Sequence, residues 1–361
     1  MEHALALARK GIGLSSPNPA VGCVIVRDGA IVGEGFHQYE WRDHAEIVAL
    51  KSAGENARNA TLYVNLEPCN HTGRTGPCTD AILAAGIQRV VAGVEDANPK
   101  TSGRSFERLR TAGVEVISGV LEDEARRLNE AFACWIRTKK PFVTLKSALT
   151  LDGRLALPKS KKRGRSEWIT SEESRAEVQR MRHASDALLT GIGTVLADNP
   201  LLTDRSGLSR RRRLLRVVLD SVLRVSPQSR IVQTADDDLL VFTGAALDST
   251  KARKLQRADV ELIRVRTRGG RVDLVPVLAE LGRRDILSLL LEAGPSLNGA
   301  ALAAGLVDKC VLFYAPKIVG DGGVPFAYAP KLDRDPLRDV RTRQFGPDIC
   351  VEAYPHRLSR K

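Results

Sequence analysis

His44-Ala45-Glu46, followed by Pro68-Cys69-Asn-His-Thr-Gly-Arg-Thr-Gly-Pro-Cys78, decides how the first part of the chain is read. One imidazole and two thiolates, from His44, Cys69 and Cys78, make three ligands of the kind tetrahedral zinc takes, with a fourth position left for water. An open position marks a catalytic rather than a structural metal. Glu46 lies two residues from the histidine, where a carboxylate can take a proton from water and pass it to a leaving amine without being a ligand. His44 alone, or the cysteine pair alone, reads as structural; the four residues in this order read as a zinc site.

Outward from that stretch, helical and strand patterns alternate. Residues 3–10 read as a helix, Val21 to Val26 as a strand, Arg27-Asp28-Gly29 as a tight hairpin turn, and Ala30 to Gly33 as the returning strand. A helix is expected at His44 to Ala53, a strand at Thr61 to Asn65, a helix at Thr79 to Ala85 ended by Gly86, a strand at Arg89 to Gly93, and one polar helix from Glu122 to Arg137. Lys139-Lys140-Pro141 is expected to end the first domain, because proline disfavours helical geometry in the residue before it. The second domain, residues 141–361, opens with a strand at Phe142 to Ser147. Further strands are expected at Ala187 to Thr190, Leu214 to Leu219, Leu239 to Thr243, Val260 to Val265, Ile286 to Leu291 and Lys309 to Tyr314, with helices such as Ser171 to His183 and Val272 to Leu281 between them. Both domains are therefore expected to be α/β.

Composition narrows the function. A chain of 361 residues suits two domains, and 43% hydrophobic with 27% charged residues is globular. No apolar run approaches the ~20 residues of a bilayer span, and Met1-Glu2-His3-Ala4 lacks signal-peptide character, so a cytoplasmic location is expected. Cys23, Cys69, Cys78, Cys134, Cys310 and Cys350 are too dispersed for a disulfide framework. The net charge of +12 raises the question of nucleic acid, but residues 1–140 carry 17 basic and 17 acidic side chains, so the excess lies entirely beyond them. It gathers at Lys159 to Arg165 and Arg210 to Arg213, short runs without interleaved aromatics, which read as solvated loops.

The metal residues follow the H-x-E and P-C-x-x-C signature of zinc deaminases, with a longer loop between the cysteines. That loop, the His-Ala-Glu helix and the upstream Pro17-Asn18-Pro19-Ala-Val-Gly22 resemble the RibD family of bifunctional riboflavin-biosynthesis enzymes. The resemblance implies a cytidine-deaminase-like three-layer first domain. It also implies hydrolytic deamination of 2,5-diamino-6-(5-phosphoribosylamino)pyrimidin-4-one, with Asn18, His37, His71 and Arg74 lining the substrate site. Amide and imidazole groups suit a pyrimidine edge, and Arg74 suits a phosphate.

The second domain has no G-x-G-x-x-G after a strand. Three stretches instead resemble the reductase domain of the same family: Lys146-Ser-Ala148-Leu-Thr-Leu-Asp152-Gly153; Ser166-Glu-Trp168-Ile-Thr170 with Arg182 and Gly193-Thr194 to Arg205; and Glu292-Ala-Gly294-Pro-Ser-Leu-Asn-Gly299-Ala300. The resemblance implies a dihydrofolate-reductase-like fold and NADPH-dependent reduction of the ribosyl chain of 5-amino-6-(5-phosphoribosylamino)uracil to ribityl. Cofactor contacts are implied at Ala148, Trp168, Thr194, Ser221, Gly294, Pro295, Ser296, Leu297, Asn298, Gly299 and Ala300. Substrate contacts are implied at Ser166, Arg182, Asp198, Leu202, Arg205 and Glu292. Arg182 and Arg205 suit a phosphate. The proton donor is not readable; Asp198 is a candidate, set against an ordinary helix-cap or turn role. Lys159 to Gly164 reads as extra length, and the segment beyond Val324 follows the family only loosely.

Two other readings compete. A zinc-dependent nucleic-acid deaminase with a basic accessory domain predicts positive charge and exposed aromatics near the zinc loop, yet that half is neutral and aromatics are 4% of the chain. A binding protein with structural zinc requires a fourth ligand, for which His71 or Cys23 could serve. The partners expected are small phosphoribosylaminopyrimidines, without nucleic acid or membrane, and homo-oligomerisation stays open.

Overall fold

The computed structural model describes residues 1–73, 75–99, 101–156, 168–329 and 336–355. Two compact units are present: Met1–Lys139 with Ser209–Arg212, and Lys140–Leu208 with Arg213–Lys361. No helix among the described residues is long and apolar enough to cross a membrane.

The first unit runs α1 (Glu2–Lys10), β1 (Gly22–Arg27), β2 (Ala30–Phe36), α2 (Ala45–Ala53), β3 (Thr61–Leu66), α3 (Cys78–Ala84), β4 (Arg89–Val94), α4 (Arg104–Thr111), β5 (Glu115–Ser118), α5 (Glu122–Leu128) and α6 (Glu130–Thr138). Its five-stranded sheet has the order β2-β1-β3-β4-β5, antiparallel around β1 and parallel from β3 to β5. Helices α1 and α5 cover one face, while α2, with α3 and α4 following it, covers the other, giving three layers. The principal core, with Cys23, Ile25, Ala49, Leu62, Val64, Ile82 and Val90, is almost dry, each such aliphatic side chain contributing about 1.5–3 kcal/mol.

Helix α2 lies unusually close to the sheet because β2 offers it no side chains there. A Cβ on Gly33 would stand 2.4 Å from the Ala49 carbonyl, and one on Gly35 would stand 2.4 Å from that of Ala45. The small residues Ala45, Ala49 and Ala53 complete that seam. The single helix expected over Glu122 to Arg137 is two helices, broken at Asn129. The amide of Asn129 accepts from the Ala20 N–H at 2.8 Å and donates to the Ala20 carbonyl at 3.0 Å, tying the break to the chain before β1. A polar side chain with a better local use than helix surface ends the helix there.

Of Arg210 to Arg213 only Arg213 is exposed as a solvated loop would be; Arg210, Arg211 and Arg212 are half-buried. Residues Ser209–Arg212 belong to the first unit, where the Arg211 guanidinium lies 3.9 Å from the Tyr39 ring centroid and pairs with Glu40 at 2.7 Å. The Arg211 N–H and side chain also donate to the Gly13 and Ser16 carbonyls, at 2.8 and 3.1 Å. The other basic run, Lys159 to Arg165, lies outside the described residues.

The second unit runs β6 (Phe142–Thr150), β7 (Arg154–Ala156), α7 (Glu172–Ala184), β8 (Ala187–Gly191), α8 (Ile192–Asp198), β9 (Leu215–Leu219), α9 (Arg230–Gln233), β10 (Leu239–Thr243), α10 (Thr250–Gln256), β11 (Val260–Arg264), β12 (Thr267–Arg268), β13 (Arg271–Val272), α11 (Leu274–Arg283), β14 (Ser288–Leu291), α12 (Pro295–Ala303), β15 (Lys309–Ala315), β16 (Val324–Pro325), β17 (Arg338–Phe345) and β18 (Asp348–Tyr354). Its main sheet, β11-β10-β9-β8-β14-β6-β15-β18-β17, is parallel up to β15 and closes with an antiparallel hairpin. Strands such as Leu239–Thr243 are buried throughout, the continuous apolar reading expected of parallel strands covered on both faces. Asp273 caps α11, accepting from the Val275 N–H at 3.1 Å, so that helix begins at Leu274 rather than Val272.

The seam between β2 and α2 yields a first prediction. Gly35→Ala forces α2 outward and should cost ~1–3 kcal/mol of stability through overpacking, and should speed loss of zinc to a chelator because α2 carries His44 at its start. A variant with unchanged denaturation midpoint and unchanged metal retention would contradict this account.

Candidate active sites

In the first unit, the metal residues come from two directions. His44 enters α2 with extended backbone, φ −74° and ψ 161°, and Glu46 follows in the first turn, 3% exposed. Cys69 lies on the connection after β3, and Cys78 opens α3. His44 Nδ1 stands 3.2 Å from Cys78 Sγ and 3.4 Å from Cys69 Sγ, and all three ligand atoms lie within 4.8 Å of one another. The edge of a tetrahedron with ordinary Zn–N and Zn–S lengths is about 3.6 Å, so this donor set and spacing fit zinc. Neither Cys23 nor His71, the two residues weighed as a fourth ligand, joins the cluster among the described residues.

The charges in the cluster are interdependent. Hydrogen bonding to Cys69 raises His44 to about 9, and donation from the Cys78 thiol brings Cys69 down to about 4. The Cys78 N–H also donates to Cys69 Sγ, at 3.3 Å. Cys78, the donor of that pair, is pushed up. Burial lifts Glu46 to about 7, against the pull of the His44 charge, in the range suited to a group that both takes and returns a proton.

The predicted substrate residues of this unit separate into two kinds. Asn18 Nδ2 donates to His37 Nε2 at 2.9 Å, and His37 Nδ1 donates to the Asp43 carbonyl at 2.9 Å. A carbonyl only accepts, which places the proton on Nδ1. The His37 ring is 2% exposed and meets the His44 ring edge-on at 5.3 Å, so it braces both Asn18 and the metal histidine. His71 is exposed, with Nδ1 3.3 Å from Thr101 Oγ1, and Arg74 lies outside the described residues.

Glu67 was not expected. Buried just before Pro68-Cys69, it accepts three backbone N–H bonds, from Asp96 at 3.1 Å, Gly103 at 2.9 Å and Ser105 at 3.1 Å. It thereby shapes the loop that presents Thr101 to His71. A glutamate beside the Pro-Cys pair was its only visible signal.

In the second unit, Ala148 lies near the carboxyl end of β6, Thr194 and Ser221 follow β8 and β9, and Glu292 follows β14, where Arg182 reaches it from α7. Glu292, just past β14, receives Arg182 bidentately, Nε at 2.8 Å and Nη2 at 3.0 Å, while Lys146 Nζ of β6 stands 3.8 Å away. Burial alone would raise Glu292, but Lys146 and Arg182 outweigh it and hold the carboxyl below its ordinary value. Burial lowers Lys146 despite Glu292. Lys146, quoted in the sequence but given no role, is thus a central member of the site, and a lysine two residues before the predicted cofactor contact Ala148 was its signal. Arg182 is committed to Glu292 and to the Thr203 carbonyl, at 3.0 Å, rather than standing open to a phosphate. Arg205 is exposed, its guanidinium lowered by partial burial and then by the Arg182 and Arg230 charges, with Glu292 acting the other way. Leu202 is buried with φ +56°, and Asp198 is exposed at the end of α8.

The predicted cofactor residues include a cradle. Gly294 caps α12 without a side-chain bond, and neither it nor Gly193 has any atom within 4 Å of where a Cβ would stand, as close approach of a phosphate to backbone N–H groups requires. Pro295, Ser296 and Leu297 form the first turn of α12, ahead of Ala300. Asn298 and Gly299 turn inward instead. Asn298 donates to the Phe326 carbonyl at 2.9 Å, and a Cβ on Gly299 would stand 2.1 Å from the Tyr328 carbonyl. Among the described residues, Ser147 Oγ and Thr190 Oγ1 are buried without a protein partner on β6 and β8. Ala148 and Thr194 are half-buried, Ser221 accepts from the Val272 N–H at 3.1 Å, and Trp168 is 67% exposed with Arg175 over its ring. Ser166 lies outside the described residues. These glycines and unpartnered polar atoms fit a nicotinamide dinucleotide.

Residues 1–94 match the family model for the cytidine and deoxycytidylate deaminase zinc-binding region, and residues 141–351 match that for the RibD C-terminal domain. The chain is 43% identical to riboflavin biosynthesis protein RibD of Escherichia coli (strain K12), over 97% of each chain. It is also 43% identical to RibD of Aquifex aeolicus, over 89% of this chain and 87% of that one. Among solved structures, Acinetobacter baumannii RibD superposes with a TM-score of 0.84 at 34% identity, covering 99% of this chain and 98% of that one. The Thermotoga maritima diaminohydroxyphosphoribosylaminopyrimidine deaminase/5-amino-6-(5-phosphoribosylamino)uracil reductase superposes with a TM-score of 0.83 at 38% identity, covering 99% and 97%.

Because Lys146 and Arg182 both face Glu292, Glu292→Gln leaves two nearly buried cations against a neutral amide. Chemical denaturation should show a loss of about 3–5 kcal/mol in the second unit. Stability equal to the parent chain would mean that the cluster is more hydrated than its burial indicates.

Proposed function

The chain belongs to the RibD family, bifunctional deaminases and reductases of riboflavin biosynthesis, and from that premise we propose which residues perform each reaction and that the second takes NADPH. The deaminase is assigned to residues 1–140 and the reductase to residues 141–361, a cytoplasmic enzyme acting on small phosphoribosylaminopyrimidines.

The observation that carries the deaminase assignment is the cluster of His44, Cys69 and Cys78 with the buried Glu46 beside it. Those three residues would hold zinc, whose Lewis acidity makes water nucleophilic near neutral pH. Glu46 takes the proton released by the attacking water and returns it to the departing 2-amino group of 2,5-diamino-6-(5-phosphoribosylamino)pyrimidin-4-one, so that ammonia leaves. Asn18, oriented by His37, meets the pyrimidine edge, and His71 and Arg74 take the phosphoribosyl end.

In the reductase, Gly193 and the start of α12 would receive the cofactor phosphates, with Ala148, Trp168, Thr194 and Ser221 along its length. Bound there, NADPH would supply the hydride. The Glu292, Lys146 and Arg182 cluster binds the ribosyl hydroxyls of 5-amino-6-(5-phosphoribosylamino)uracil, and Arg205 takes the phosphate. Lys146, a buried ammonium with a lowered pKa, is better placed than the exposed Asp198 to give the proton that accompanies reduction to the ribityl chain.

The test is the full chain loaded with zinc and given the diaminopyrimidinone, following ammonia, then NADPH or NADH absorbance. Ammonia release followed by oxidation of NADPH in preference to NADH is expected; no ammonia, or preference for NADH, overturns the corresponding half. Glu46→Gln should keep its zinc by elemental analysis while deamination falls roughly 10²–10⁴-fold. Metal loss in that variant would contradict the role of Glu46.

A further inference from the structure

The segment between α8 and β9 carries Leu202 and Arg205, and from Asn199 to Arg205 it is held from outside at several residues. Asn199, with φ +44°, accepts the Arg230 N–H at 2.8 Å. The fully buried Arg216 donates to the Leu201 carbonyl at 3.1 Å. Leu202 then adopts φ +56°, a conformation that costs a leucine of order 1 kcal/mol. A strained residue inside an externally braced loop marks a loop whose shape serves something beyond its own stability.

From there on, a single face of α7 takes over. Gln179, Arg182 and His183 stand three and four residues apart, so their side chains share one side of the helix. Arg182 donates to the Thr203 carbonyl at 3.0 Å, His183 Nδ1 stands 3.3 Å from Asp204 Oδ2, and Gln179 accepts the Arg205 N–H at 2.9 Å. Three consecutive loop residues are thus each gripped by one helix side chain. The His183 and Asp204 side chains are only 7% and 9% exposed, and Asp204 Oδ1 also accepts the Ser206 N–H at 2.9 Å, which bends the chain around Arg205. Arg205 itself makes no such commitment with its guanidinium in this grip; only its backbone is held.

Arg205 feels repulsion from the Arg182 and Arg230 charges and attraction from Glu292, which pairs with Arg182. We propose that the His183–Asp204 contact is a latch that positions Arg205 for the phosphate of the reductase substrate, making His183 and Asp204 positioning residues. This rests on the reading of Arg205 as a phosphate contact given above. The latch touches neither substrate nor cofactor; it fixes the chain on both sides of the residue that does.

The test compares His183→Leu, His183→Asn, Asp204→Ala and Arg205→Gln in the full zinc-loaded chain. KM and kcat of the reductase are measured with 5-amino-6-(5-phosphoribosylamino)uracil, and deaminase turnover and melting serve as checks of folding. His183→Leu should raise KM about tenfold, the size of one weakened charge-assisted contact, with kcat little changed. His183→Asn, whose amide nitrogen stands near the place of Nδ1, should recover most of the loss. Once Arg205→Gln is present, His183→Leu should add nothing further. If Arg205→Gln raises KM and the folded His183→Leu variant does not, the latch is overturned while the phosphate reading stands. Additive effects of the two substitutions also overturn the latch. If Arg205→Gln leaves KM unchanged, the phosphate reading falls and the latch with it. Asp204→Ala reads the other end of the contact should His183→Leu fail to fold: a raised KM supports the latch and an unchanged one overturns it.

Discussion

A parallel strand gives up its ladder at its carboxyl end, and whatever follows must satisfy the freed backbone groups by other means. Both sites of this chain are built from that constraint. In the first unit, β3 ends into Glu67, Pro68 and Cys69, and in the second, β8, β9 and β14 end beside Thr190, Ser221 and Glu292, with Lys146 reaching Glu292 from within β6. Side chains gathered at or near such ends are held by rigid strands, and those past the ladder can be chosen for chemistry rather than pairing. The two units solve the remaining electrostatic problem differently. The first gathers soft donors that a metal would hold together; the second sets one carboxylate between two cations.

The braces around these ends explain the geometry better than the reacting groups do. Glu67 gathers three N–H groups onto a single buried carboxylate and so fixes a loop containing no regular structure. Asn129 does the same for the chain entering β1, and Arg216, with Asp238 and four backbone or hydroxyl oxygens, does it for the loop before β9. Each buried polar group is costly unless fully partnered, so each ties its loop to one conformation.

The legible parts of the structure were those with a local signature. His44, Glu46, Cys69 and Cys78 could be read because metal chemistry restricts both residue type and order, and the buried strands because parallel pairing needs continuous apolar runs. The seam at Gly33 and Gly35 and the role of Glu67 depend on partners far along the chain, which spacing alone does not disclose. Lys146 sat in a quoted motif, yet only the fold shows that it faces Glu292 across β14 and β6. The hairpin of β17 and β18 escaped for another reason. Arg338–Phe345 is exposed and rich in charge, so it lacks the alternation that identifies a strand, and only Gly346-Pro347, with Gly346 at φ +56°, marked the turn.

The same distinction settles how the surplus positive charge is used. Read along the sequence, the clustered basic residues look like solvated loops; in the fold, several arginines are structural. Arg216 is fully buried against Asp238, Arg182 is bound to Glu292, Arg211 stacks on Tyr39 beside Glu40, and Arg284 bridges Glu261 and Glu280. A guanidinium can do this because its planar fork stays charged while satisfying several acceptors at once, which an ammonium does less well. Arg205 differs from these in having its backbone held by α7 while its side chain remains exposed. The charge that bears on a ligand is therefore a matter of which guanidiniums the fold leaves uncommitted, a property that a count of arginines does not contain.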